Sequence, residues 1–210
     1  MKILNLYCGI GGNRKFWGNG HEITAVEINE TIAEIYSEHF PNDELVIGDA
    51  RQYLIENFDR FDFIWSSPPC QSHSSIRQNI GVRYRGVKPI YPDMSLYEQI
   101  IFLKHNFKGL WVVENVNPYY EPLIKPTFKL DRHLFWSNFE VEPKEFDRPK
   151  ISSAQIPQLQ EFLGYDLSEY KLPNKRQVLR NCVNPNIGKY ILDKALEALE
   201  GDSNEPKQSI

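Results

Sequence analysis

Short apolar runs alternate with segments of helical spacing from the start of the chain, and no other property restricts the fold as strongly. KILNLY opens the series, and ITAVEI, LVIG, FDFIW and LWVVENV follow it. Between ITAVEI and LVIG, the stretch TIAEIYSEHF puts Ile32, Ile35, Tyr36 and Phe40 on one face. Between FDFIW and LWVVENV, SLYEQIIFLKHNF does the same with Leu96, Ile100, Leu103 and Phe107. Runs that are apolar throughout suit strands covered on both faces, with the helices as crossovers. The expected fold is α/β: a doubly wound, mostly parallel, Rossmann-like sheet. Asp49 stands at an N-cap position before ARQYLIENF; Ser95 can cap the later helix and Gly109 can close it.

Two stretches break the rhythm. Residues 71–94 read as a long loop with Gly, Pro, Arg and Tyr, and residues 140–175 as a small irregular insert rich in Pro, Lys and Glu. Order returns in NPNIGKYILDKALEAL, where Asn184 caps, Pro185 takes the first helical position, and Ile187, Ile191, Leu192, Ala195, Leu196 and Leu199 form an apolar stripe. The expected organisation is a main domain over 1–139, the insert over 140–175, a strand and helix returning to the main domain over 176–200, and a disordered tail over 201–210.

At 210 residues and 41% hydrophobic composition the chain suits one domain. No apolar run reaches the ~18 residues of a membrane span, and MKILNLYCGIGG reads as a strand and its turn, not a signal peptide. No membrane partner is expected. Cys8, Cys70 and Cys182 lie far apart with no zinc spacing, which fits a reducing cytoplasm. The net charge of −4 runs against nucleic-acid binding, but its distribution does not. Residues 71–91 carry Arg77, Arg83, Arg85 and Lys88 and no acid, while Glu197, Glu200, Asp202 and Glu205 gather near the other end. A solvated loop would carry the same cations.

The chemistry concentrates at strand ends. In LYCGIGGNRKFW, glycines after the first strand let a ligand approach the backbone, although the spacing is not that of the dinucleotide fingerprint. Glu27 ends the second strand, where an acid can hold ribose hydroxyls, and Gly48-Asp49 ends the third. Each has an ordinary explanation, as a tight bend, a solvated acid or a helix cap; together they point to an adenosine-type ligand. FDFIW leads into SSPPCQSHSS, where Pro68 and Pro69 stiffen the chain before Cys70. A nucleophilic cysteine needs a lowered pKa, which the cations of the same loop could supply. Glu114, after four apolar residues, is poorly solvated, which raises a carboxyl pKa. A Cys that attacks an electron-poor ring carbon and a Glu that donates to a ring nitrogen make a coherent pair.

LYCGIGG, VEIN, GDA, SPPCQS, VVENV and RNCV, in that order, resemble the motif set of the DNA cytosine-C5 methyltransferases, over residues 1 to about 140 and 176–199. The resemblance implies S-adenosylmethionine as cofactor, with S-adenosylhomocysteine as product. It would lie on Tyr7, Gly9, Gly11 and Gly12, with Glu27 at the ribose, Asp49 near the adenine, and Ile28, Ala50, Pro68, Asn181 and Val183 completing the pocket. Cys70 would add to C6 of cytosine, Glu114 contact N3, Asn115 brace the Cys loop, and Arg132 take part in catalysis. The implied partner is double-stranded DNA with the target base flipped out, contacted by Gln71, Ser72, Arg77, Arg83, Arg85 and Lys88.

The chain departs from the family pattern in several places. Asn5-Leu6-Tyr7 replaces Asp-Leu-Phe, the Gln-x-Arg-x-Arg element survives only as Arg132 in DRHLFW, and Arg180 stands where a glycine precedes Asn181. The space for a target-recognition domain shrinks to about 140–175, which implies relaxed or short specificity, or a protein partner that supplies it. One branch of the family methylates tRNA, which keeps RNA open as the substrate. A module that binds the cofactor without turnover is the remaining alternative, and Cys70 with Glu114 argues against it.

Overall fold

The computed structural model describes residues 1–147 and 154–204. Seven strands form one sheet in the order β3-β2-β1-β4-β5-β7-β6. The strands are β1 (Lys2–Leu6), β2 (Glu22–Glu27), β3 (Glu44–Ile47), β4 (Phe63–Ser66), β5 (Leu110–Val116), β6 (Phe128–Leu130) and β7 (His133–Ser137). β1 to β5 pair in parallel, and β7 and β6 add an antiparallel edge. The strand order reverses between β1 and β4, so the crevice for a ligand opens at their C-terminal ends.

Both faces are covered, which is why the strands are apolar throughout. On one face Leu4, Leu6, Val26, Ile64 and Val113 meet α2 (Ala50–Asn57) and α4 (Ser95–Asn106) through Leu54, Leu96, Tyr97, Ile100 and Leu103. On the other, Ile3, Ile23, Phe63, Trp65 and Val112 meet α7 (Pro185–Asn204) through Ile187, Ile191, Leu192 and Ala195. α1 (Glu30–His39) starts at Asn29, whose side chain accepts from the Ile32 N–H, and Asp49 caps α2 by accepting from Arg51 and Gln52. Asn184 accepts from the Asn186 N–H at the head of α7.

Several expectations are corrected. Residues 71–94 are not wholly a loop: a π-helix over Arg77–Val82 runs into a single turn, α3 (Arg83–Arg85), which Gly86 ends in left-handed conformation. These turns rest on few buried side chains, so they leave no apolar periodicity in the sequence. The N-cap position of α4 is Met94, and the Asp93 carboxylate before it accepts from the Ser95 N–H; Ser95 is already helical. Gly109 does not close α4, which ends at Phe107; a side chain at Gly109 would strike the Asp62 carbonyl at 2.5 Å. The insert holds a helix, α5 (Ile156–Leu163), opened by a capping box at Gln155 and Gln158. The return segment holds no strand: α6 (Lys175–Asn181) and α7 follow one another directly. α7 runs on to Asn204, so a tail beginning at 201 starts too early, and 205–210 lie outside the described residues.

The segment from α5 to α6 packs back on the start of the chain. Leu159, Leu163, Tyr165, Leu167 and Leu179 bury Ile10 and Ile35. The Tyr165 hydroxyl donates to the Gly11 carbonyl at 3.0 Å, Lys15 Nζ to the Leu163 carbonyl at 2.6 Å, and Trp17 Nε1 to the Gly188 carbonyl at 3.0 Å. Residues far apart in sequence therefore hold the glycine turn in place.

Candidate active site

The turn after β1 is shaped by its backbone. Tyr7, Gly9 and Gly11 have φ of 56°, 55° and 83°, a region that costs a residue with a side chain energy. Gly9 has open space where a side chain would stand, whereas one at Gly11 would strike Phe40 at 2.2 Å. The two glycines thus have different purposes: Gly9 leaves room on the open side of the turn, and Gly11 lets the turn pack on α1. Buried Asn5 and Asn13 pair through their amides, Asn13 Nδ2 donating to Asn5 Oδ1 at 2.8 Å. Asn5 thus keeps a bracing role where the family pattern has Asp. Arg14 makes a buried fork on Asp43 at 2.8 and 3.0 Å, and the Tyr36 hydroxyl donates to the same carboxylate. At the end of β2, the Glu27 carboxylate accepts from the Gly9 and Asn29 N–H groups at 3.1 and 3.0 Å, tying the two strand-end turns together.

The next strand ends carry the reactive groups. Trp65 Nε1 donates to Ser67 Oγ at 2.8 Å, and Asn115 Nδ2 donates to the Pro68 carbonyl at 2.9 Å. Beyond them, the Cys70 carbonyl accepts from the N–H groups of His73 and Ser74 at 3.1 Å each. The stiff proline pair, the Asn115 amide and this turn hold Cys70 half-buried at a fixed place. Glu114 and Arg132 both act on the Cys70 thiol, from β5 and from the start of β7. Arg132 Nη2 donates to the Arg180 carbonyl at 2.6 Å, while its buried Nε has no hydrogen-bond partner.

Electrostatics set the protonation pattern. Burial raises the Glu114 carboxyl to about 7, with the Ser67 hydroxyl and Arg132 pulling it down. Burial, and then the Glu114 charge, push the Cys70 thiol up to about 11; Arg132 works in the opposite direction. The expectation that cations of the Cys70 loop lower this thiol is corrected: Arg83, Arg85 and Lys88 face solvent, and Arg132 supplies the favourable charge from another strand.

These groups share a cavity of about 640 Å³. Tyr7, Gly9, Gly12, Glu27, Ile28, Pro68, Cys70, Gln71, Glu114, Arg132, Asn181 and Val183 line it. Gly11, Asp49, Ala50, Asn115, Ser72, Arg77, Arg83, Arg85 and Lys88 do not. Asp49 is turned to its capping duty, and Ser72 Oγ accepts from the Asp93 N–H. His133, Lys171, Asn174 and Gln177 are among the lining residues that sequence reasoning missed. A histidine in the apolar strand HLFWS was the available signal for the first; Lys171 and Asn174 sit in the insert and Gln177 in α6, where nothing marks them. Cys182 also lines the cavity.

Among the described residues no cluster of His, Cys, Asp and Glu could hold a metal ion, and no helix is long and apolar enough to cross a membrane.

The order of the sheet and the ligand crevice at its switch point define the Rossmann-like methyltransferase fold. A solved Entamoeba histolytica methyltransferase, EhMeth, shares it, with a TM-score of 0.56 and 12% identity over 95% of this chain and 98% of its own. The family model described as C-5 cytosine-specific DNA methylase matches residues 1–117, and the chain belongs to that family. The tRNA (cytosine(38)-C(5))-methyltransferase of Homo sapiens is 25% identical over 89% of this chain and 54% of its own length. The type II methyltransferase M.FnuDI of Fusobacterium nucleatum is 34% identical over 52% of this chain and 33% of its own. The chain spans about half the length of the human relative.

Proposed function

We propose that the chain transfers a methyl group from S-adenosylmethionine to C5 of cytosine in DNA. One observation carries the reading: Cys70, Glu114 and Arg132 meet in the cavity that the glycine turn and Glu27 also line. The residues fit the cofactor, because Gly9 has open space where a side chain would stand and the Glu27 carboxylate stands at the end of β2. Tyr7, Gly9, Gly12, Glu27, Ile28, Pro68, Asn181 and Val183 would hold it. When bound, it supplies an electrophilic methyl group and leaves as S-adenosylhomocysteine.

This chain's own residues prepare the base. The Cys70 thiolate forms a bond to C6, Glu114 gives its proton to N3, and the electron density that arrives at C5 makes that carbon nucleophilic. After methylation the C5 proton is lost to water, the bond from sulfur to C6 breaks, and the N3 proton returns to Glu114. The two ionisations help one another. A proton moved from the Cys70 thiol to the Glu114 carboxylate creates the nucleophile and the acid together, and removes the charge that opposes the thiolate. Arg132 then stands beside the thiolate as its counter-charge. Asn115 acts through the loop, fixing Pro68 and so the place of Cys70.

The exposed Arg83, Arg85 and Lys88 would meet phosphates, with Tyr84 and Tyr91 as exposed rings beside them. Residues 140–175 act as a reduced recognition segment, so specificity is short, relaxed or supplied by a protein partner. A tRNA substrate is the second reading, favoured by the human tRNA methyltransferase that aligns over most of this chain.

The test is transfer of labelled methyl from S-adenosylmethionine to duplex DNA and, separately, to tRNA, by wild type and Cys70→Ala. 5-Methyldeoxycytidine that vanishes in the mutant is expected. Product in tRNA alone moves the substrate to RNA, and product that survives in Cys70→Ala overturns the mechanism.

A further inference from the structure

His133 lies two residues before the cross-strand partner of Glu114. In the antiparallel pair of β5 and β7, Glu114 faces Phe135 and Val116 faces His133, so Glu114 and His133 are diagonal neighbours on one face of the sheet. Their side chains are 5% and 8% exposed, His133 and Glu114 respectively, and His133 Nε2 stands 3.6 Å from Glu114 Oε1. A few tenths of an ångström of side-chain rotation closes that gap to a hydrogen bond, and such contacts tighten on ligand binding. The imidazole is held edge-on to Phe135 at 6.4 Å, and Phe135 stacks on Phe128 at 4.9 Å, so the ring has a fixed platform. Both side chains line the main cavity. A buried ionisable pair costs desolvation that an apolar side chain at 133 would avoid, so the strand gains nothing in stability from a histidine there.

We propose that His133 is a positioning residue for Glu114, its Nε2 fixing one carboxylate oxygen so that the carboxyl keeps a single orientation toward the base. The inference rests on the proposed role of Glu114 as the acid for N3. The other groups that bear on this carboxyl are the Ser67 hydroxyl and Arg132, with Cys70 responding to its charge; Asp131 and Arg180 act on Arg132 in turn. His133 is the member of this set that reaches Glu114 from within β7, through a ring nitrogen.

The sign of its effect follows. A donor or cation at Nε2 favours the ionised carboxylate. Its removal raises the pH at which Glu114 loses its proton, and a reaction that needs the protonated acid then persists to higher pH. The experiment compares wild type, His133→Phe and His133→Gln, whose amide N–H can take the place of Nε2. The first readout is the pH profile of methyl transfer to poly(dI·dC) duplex and to bulk tRNA. The second needs no turnover: alkylation of Cys70 by iodoacetamide, followed by peptide mass spectrometry, bends at the pH where Glu114 ionises.

In His133→Phe the basic limb and the alkylation bend move up by about one pH unit, and the plateau rate falls about ten- to a hundredfold. His133→Gln restores both. Unchanged limb and bend in His133→Phe overturn the inference. If wild type transfers no methyl group to either nucleic acid but the bend still moves, the positioning role stands and the proposed function fails. Should the Phe variant not fold, His133→Asn, which lacks the Nε2 position, carries the same comparison.

Discussion

Glu114→Gln removes a charge that the fold tolerates at a cost, and the cost can be followed with pH. Burial lifts this carboxyl from 4.5 to about 7, so the folded chain holds a proton that the unfolded chain has already released across that window. Where the folded state binds more protons, stability falls as pH rises. The wild type is therefore penalised progressively from pH 4.5 to 7 and carries the full penalty above it. At 1.36 kcal/mol per pH unit the whole window amounts to roughly 3 kcal/mol. Glutamine has the same shape and no charge, so the variant escapes the penalty. The expected result is a Glu114→Gln protein about as stable as wild type at pH 4.5 and more stable at pH 8, by roughly 3 kcal/mol, while methyl transfer is lost. In thermal unfolding of a chain this size that is on the order of 6 to 12 °C. The assay is urea or thermal unfolding of both proteins at half-unit steps from pH 4.5 to 8.5, reading only the difference between them. Changed hydrogen bonding to the amide adds a constant offset and leaves the slope alone. A difference that stays flat across the window refutes the claim that burial, rather than a solvated environment, sets the acidity of Glu114.

Asn115→Ala deletes the bond to the Pro68 carbonyl and leaves that carbonyl buried; a loss of about 1 to 3 kcal/mol in urea unfolding is expected, with single-turnover methyl transfer falling much more than cofactor affinity measured by calorimetry. Gly188→Ala would drive a methyl group to 2.2 Å from the Asn13 carbonyl, so a drop in melting temperature equivalent to about 1 to 3 kcal/mol and weaker cofactor binding should appear together. Arg14→Met strands the buried Asp43 carboxylate; about 3 to 5 kcal/mol of stability is lost, and Asp43→Asn in the same chain should recover part of it in a double-mutant cycle.

The parallel core was legible because its signals are local. Apolar runs, helical spacing and caps such as Asn184 and Asp49 are written within a few residues of where they act. The positions of Cys70, Glu114 and Glu27 were legible for the same reason: Glu27 ends β2, Glu114 follows the apolar residues of β5, and Cys70 comes four residues after β4. What the sequence hid depends on residues distant in the chain. Ser95 does not cap α4; its own N–H is taken by the Asp93 carboxylate. Arg132, not the nearby basic loop, stands as counter-charge to Cys70, because β7 inserts beside β5 and brings it there. Gly9 and Gly11 look alike in LYCGIGG, yet one has open space at its Cα and the other faces the rings of α1. In the insert, Leu159 and Leu163 stand four residues apart on one face of α5, but that periodic stretch is only eight residues long and its partners, Ile10 and Ile35, lie far back in the chain.

The clasp that the α5 end and α7 make on the first turn also sets an order of events in synthesis. Trp17 waits for Gly188 across 171 residues of chain, and Gly11 waits for Tyr165 across 154. At ordinary elongation rates that delay is on the order of ten to thirty seconds, during which Ile10, Ile35 and the Trp17 indole emerge from the ribosome without their covers. Contacts this remote also slow folding once the chain is free. The turn that lines the cofactor pocket is thus complete only after Tyr165 and Gly188 have been made, and until then its apolar side chains stand without their covers.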